Sequence, residues 1–169
     1  MALIALLLLV LLGAGLPDAL PSAWGLAQHP PDVFALVTIY LASRARAFAA
    51  VGWGIALGVA QDCLSLDPLG TNAFVLGLVA WLFAEGERSR GRIDGPGRLA
   101  YVFVGTVAAG WIYVLRTLPY GGPPDTWAAL GGAFATAWWT TLLALPLGTL
   151  LDRTRALDGL LGRSRAFSA

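Results

Sequence analysis

Apolar residues fill this chain in long stretches separated by short polar segments, and the polar segments alternate in kind. One kind is rich in Arg; the other carries Asp, with Arg116 as its single basic residue. Six stretches emerge, at about 2–16, 31–46, 47–64, 68–84, 99–115 and 127–151, and each reads as a membrane-spanning helix. Together they predict one integral membrane domain over 1–169, with 152–169 as a basic, polar tail. The first stretch has no basic residue before it and no clean small-residue cleavage site before Pro17, so it reads as a retained helix rather than a signal peptide.

The second stretch is the odd one. Its strictly apolar part, residues 33–43, rises only about 17 Å against a hydrocarbon core of about 30 Å. Starting it at Pro31 and letting Arg44 and Arg46 snorkel adds about a turn and a half. It remains short, so it is expected to pack inside the bundle or to lie where the bilayer thins. Pro31-Asp32 and Asp67-Pro68 both look like helix starts, with Pro in the first turn and a carboxylate at the positive end of the helix dipole. Proline also marks the loop after the first stretch, where Trp24 is a candidate headgroup anchor, the Gly95-Pro96-Gly97 turn, and an interruption at Pro146.

Charge placement sets the expected orientation. Ten of the eleven basic residues fall in three groups: Arg44 and Arg46; Arg88, Arg90, Arg92 and Arg98; and Arg153, Arg155, Arg163 and Arg165. The alternate segments hold Asp18, Asp32, Asp62, Asp67 and Asp125. Short basic loops stay cytoplasmic during insertion, so six spans with both termini cytoplasmic are expected. A five-span reading, with the first stretch cleaved or the second re-entrant, is the alternative. The composition, 57% hydrophobic and 12% charged, fits a membrane protein, and the surrounding lipids are its first partners.

Chemistry is sparse. One cysteine, Cys63, rules out an internal disulfide or a cysteine metal cluster, and His29 alone cannot form a histidine-pair metal site. The Arg groups are juxtamembrane loops and not a nucleic-acid surface. Asp62 and Asp67 share one short interfacial loop, unlike an intramembrane carboxylate dyad, and Ser22, Ser43, Ser65 and Ser89 sit in no nucleophile elbow. No cofactor is expected. What remains is packing chemistry: small residues four apart at Gly54 and Gly58, overlapped by Ala56 and Ala60, and at Ala73 and Gly77, Gly105 and Ala109, and Ala133 and Ala137. Such pairs let helix backbones approach closely in lipid, within the bundle or against another chain. Trp138 and Trp139 lie near the middle of the last stretch, about 100° apart, so one ring packs inward and the other meets lipid or protein. Asp62 ends its helix where the dipole disfavours a carboxylate. It reads either as a solvated loop acid or as a latch onto donors at the start of the next helix, the backbone N–H groups, Thr71 and Asn72.

Three landmarks in order resemble the rod shape-determining protein MreD family. They are Pro31-Asp32-Val-Phe-Ala-Leu-Val-Thr-Ile-Tyr40, then Gly58-Val-Ala-Gln-Asp62, then Pro68-Leu-Gly70-Thr-Asn72-Ala73. That family typically opens its second helix with Pro-Asp, ends its third with Gly-x-x-x-Asp and opens its fourth with Pro-Leu-Gly and a following polar residue. Pro31, Asp32, Gly58, Asp62, Pro68, Gly70 and Asn72 occupy those positions. The motifs cover residues 30–90; beyond them only the layout matches.

The resemblance implies a six-helix bundle like the S components of energy-coupling-factor transporters, in the bacterial inner membrane. It also implies a non-enzymatic role in rod-shape peptidoglycan synthesis. The implied partner is MreC, and through it RodA, a class B penicillin-binding transpeptidase and MreB, together the elongasome. A substrate-binding S component of a vitamin transporter is the alternative from another class. Against it, Leu6 and Leu9 stand four residues after Ala2 and Ala5, where S components usually present Ala-x-x-x-Ala. The outer segments also lack the aromatic and polar crowding of a vitamin pocket.

Overall fold

The computed structural model describes residues 29–65, 68–90, 96–121 and 123–153. The predicted first span, Trp24 and the tail after Arg153 lie outside these residues. Among the described residues the regular structure is all helical: α1 Val33–Ala42, α2 Ala47–Leu64, α3 Thr71–Arg90, α4 Pro96–Thr117 and α5 Thr126–Arg153, with a 3₁₀ turn Leu118–Tyr120 after α4. Three helices among the described residues are long and apolar enough to cross a membrane: Ala47–Leu64, Gly97–Thr117 and Thr126–Leu147.

Local chemistry moves several boundaries from those read along the sequence. The second stretch yields a helix over 33–42 in place of 31–46. Asp32 is its N-cap and its Oδ1 accepts from the Ala35 N–H at 2.8 Å, so Pro31 lies outside the helix. At the other end the Ser43 hydroxyl donates to the Tyr40 carbonyl at 2.8 Å, and the Arg44 N–H tightens onto the Leu41 carbonyl at 3.1 Å. The chain therefore turns before Arg46. The fourth stretch starts at Thr71 in place of Pro68, because Pro68 to Thr71 forms a β-turn closed by the Thr71 N–H on the Pro68 carbonyl. Gly70 occupies its third position at φ +93°, a conformation that costs other residues strain. α3 also runs on past residue 84 to Arg90 with charged residues, α4 begins three residues early at Pro96, and α5 continues through Pro146 to Arg153.

The short helix is the axis of the bundle. Every residue of α1 is buried, and α1 touches α2, α3, α4 and α5. Its hydrophobic face all round is what an interior helix requires. Val33, Phe34, Val37 and Leu41 pack with Leu57 and Leu76, while Leu36 and Ile39 pack with Val75, Val79, Val102 and Ala144. Around this axis the outer helices show large apolar side chains to the surroundings, including Phe48, Val104, Trp127 and Trp138, which is the pattern of a lipid-facing surface.

Arginines gather at one polar end of the bundle. Tyr40, Ser43, Glu87 and Arg98 line one small cavity, so the end of α1, the end of α3 and the start of α4 meet. The Arg44 guanidinium lies 4.6 Å from the Tyr40 ring centre and that of Arg98 lies 5.8 Å from it. Two arginines from separate sequence groups thus share one aromatic ring, a cation–π arrangement.

Candidate functional site

The motif residues of α2 and of the turn into α3 assemble at the end of the bundle away from these arginines, and Asp62 organises them. α2 delivers Asp62 in its last turn, where unpaired carbonyls make a carboxylate unwelcome. The side chain escapes that field by crossing to the start of α3. Its Oδ2 accepts from the Gly70 N–H at 2.8 Å and the Ala73 N–H at 3.3 Å, and its Oδ1 accepts from the Asn72 N–H at 2.9 Å. Asp62 is only 3% exposed, so it is no solvated loop acid. The donors are backbone groups at the start of α3 that the helix cannot satisfy itself, and the Thr71 hydroxyl is not one of them. Charge-assisted bonds to three N–H groups hold α2 and α3 together at this end.

Gly58 and Gly70 make that contact possible. A Cβ on Gly58 would run into the Ala73 backbone and the Asn72 carbonyl, so α3's first turn lies directly on α2's backbone. One turn deeper, a Cβ on Gly54 would stand 2.5 Å from the Leu76 carbonyl oxygen and 2.9 Å from the Ala80 Cβ. Gly54, Gly58 and Ala73 are internal packing surfaces, and no external helix is needed to explain them. The same holds for Ala133 and Ala137, which are buried, Ala133 facing Gly110.

Pro31 and Asp32 belong to a separate arrangement. The Asp32 N–H donates to the Thr140 hydroxyl oxygen at 2.8 Å, and Thr140 donates onward to the Thr136 carbonyl at 2.7 Å. Thr140 is fourteen residues into α5, about 21 Å along it. α1 therefore begins deep within the bundle, which is why ten residues suffice. His29 approaches α5 higher up, where a Cβ on Gly132 would stand 2.8 Å from its ring. The non-helical segment 29–32 descends beside α5 between those two levels. Irregular backbone at such depth is tolerated only when its polar groups are satisfied within protein. Pro30 and Pro31 have no N–H to satisfy, and the next N–H, that of Asp32, is taken by Thr140.

The role of Thr140 is not legible in the sequence because its partner lies 108 positions away. A threonine midway along an apolar helix was the available signal. The tryptophan pair divides unequally: Trp138 is 60% exposed and Trp139 is half-buried. Chemically the arrangement suits holding rather than reacting, since the Asp62 oxygens are occupied by main-chain donors. A family model described as rod shape-determining protein MreD matches residues 1–114. No curated protein and no solved structure matches the chain.

Proposed function

The chain belongs to the MreD family of rod shape-determining proteins, and from that premise we propose that it is a non-enzymatic membrane scaffold of cell-wall elongation. It would hold an MreC-like bitopic partner and, through it, support RodA, a class B transpeptidase and MreB in rod-shape peptidoglycan synthesis. The family match carries this reading. The geometry supports it through a bundle whose motif residues are spent on internal ties, Asp62 on α3 and Asp32 on α5, while large apolar side chains face outward for lipid and partner. Polar groups already engaged in such internal ties are poor lining for a vitamin pocket, so the transporter alternative gains nothing from them.

The proposed architecture is a single six-helix domain resembling S components, in the inner membrane, with the arginine end and both termini cytoplasmic. Co-purification from the native membrane tests the function. An MreC-like bitopic protein is the expected companion; an energising ATPase with a tightly held vitamin would overturn the scaffold reading. Cysteine accessibility tests the orientation. Native Cys63 is exposed near the Asp62 end and should label from outside the cell, as should Gly121→Cys in a Cys63→Ser background, while Ser89→Cys should not. The reverse pattern would invert the model.

A further inference from the structure

The arginine end carries a groove that the scaffold role does not use. It has a volume of about 490 Å³ and lies between the α1–α2 turn and the last turns of α3, within the roughly 300–1,000 Å³ of small-ligand sites. Its origin is the sequence of small residues there. Ala42, Ala50, Ala80 and Ala84 pack as one cluster with Ala45, Ala47 and Phe83, and the alanine methyls that line the groove are too small to fill it. Ala84, Glu87 and Arg88, spaced i, i+3 and i+4, present one face of α3 to the groove, and Arg46 stands opposite on the turn.

Both guanidinium-bearing residues, Arg46 and Arg88, are exposed. Glu87 lines both the groove and the neighbouring cavity that contains Arg98, so the wall carries one carboxylate against two guanidinium groups. Arg46 is the N-cap residue of α2 and makes no side-chain capping bond, so the first-turn N–H groups of an 18-residue helix add their positive end to the same wall. Next in sequence after Ala47, Phe48 is 96% exposed, which puts an aromatic ring on the surface beside the groove. An oxygen-rich anion at the junction of water and hydrocarbon fits these features. Guanidinium groups bind phosphate through paired N–H donors, and basic pockets between helices at the cytoplasmic surface recognise lipid headgroups.

We propose that the groove walled by Arg46 and Arg88 is a binding site for a phosphate group, the chemistry shared by an anionic phospholipid headgroup and a soluble phosphate. The chemistry is independent of which leaflet the groove faces. Native mass spectrometry of the full chain in detergent, titrated with phosphatidylglycerol, tests it. Each arginine near a charged headgroup contributes a factor of about five, so Arg46→Gln with Arg88→Gln should weaken retention about 30-fold. Arg116→Gln, at the other end of the bundle, should leave it unchanged.

Restoring charge with Arg46→Lys and Arg88→Lys should recover most of the loss, a response that a purely structural role would not give. Displacement of the lipid by inorganic phosphate would show that a soluble phosphate reaches the same site; resistance to displacement would assign it to the lipid. Retention unchanged in the double glutamine variant, or lost equally in Arg116→Gln, would overturn the proposal. If the double variant fails to fold, Arg88→Gln alone decides it, with a loss of about five-fold expected and no loss fatal.

Discussion

The two hairpins of the bundle close by different means. α2 and α3 meet backbone to backbone: Gly54 and Gly58 remove the side chains between them, and Asp62 bonds three main-chain N–H groups at the tip. α4 and α5 meet through side chains. Gly110 leaves room for the Ala133 methyl, the Trp111 ring lies edge-on to Phe134 with centres 5.6 Å apart, and the Trp111 indole N–H donates to the Leu130 carbonyl at 3.2 Å. Trp111 and Phe134 are both more than 40% exposed, so much of that second contact lies at the lipid surface. A contact made of backbone has no rotamer to yield, whereas aromatic rings at a surface can shift. The family motifs lie on α1 and in the hairpin that cannot adjust.

The strongest way to break the comparison is to force a side chain into each hairpin. Gly58→Leu should abolish recovery of monodisperse protein, because its Cβ already meets the α3 backbone, and overpacking typically costs about 1–3 kcal/mol even where neighbours can move. Gly110→Ala meets a single methyl carbon at 2.7 Å and a backbone atom only at 3.6 Å, so thermal unfolding in detergent should fall much less. Equal losses in the two variants would erase the distinction. Next in size is Asp62→Leu, which leaves three N–H groups without their acceptor and should cost about 2–3 kcal/mol in the same assay. Asp62→Asn keeps one acceptor and should cost about 1 kcal/mol.

Smaller changes sharpen the contrast. Thr140→Val keeps shape but removes the acceptor for the Asp32 N–H, and about 1 kcal/mol of stability should go with it. Trp111→Phe deletes one bond at the surface of α4–α5 and should cost about 0.5 kcal/mol. Thr106 is buried in α4 and its hydroxyl has no hydrogen-bond partner among the described residues. Thr106→Val should therefore be neutral or slightly stabilising, and a clear loss would reveal a partner for that hydroxyl.

Much of this was legible in the chain because lipid simplifies the grammar: an apolar stretch has few options besides helix. The conflict between Asp62 and its own helix dipole leaves two readings in the sequence, a solvated loop acid or a latch onto the next helix, and the bonds to Gly70, Asn72 and Ala73 decide between them. Three features resisted. Asp67-Pro68 imitates a helix start, yet the turn through Gly70 delays the helix to Thr71, since proline fits a turn as well as a first helical position. The depth at which α1 begins depends on Thr140, far away in sequence. The meeting of Arg44 and Arg98 over Tyr40 joins the α1–α2 turn to the start of α4, a contact that charge placement along the chain does not disclose.

The burial of α1 bears on how the protein is made. A ten-residue helix of about 15 Å cannot leave the translocon as an independent span, because it is half the thickness of the hydrocarbon it would enter. The usual sequence, in which helices insert one by one and associate afterwards, has no separate first stage for it. α1 must wait, sheltered or at the interface, until α2 to α5 surround it. Its membrane residence is thus a product of tertiary assembly, and faulty closure of the bundle would leave a loop at the membrane surface where a helix should be.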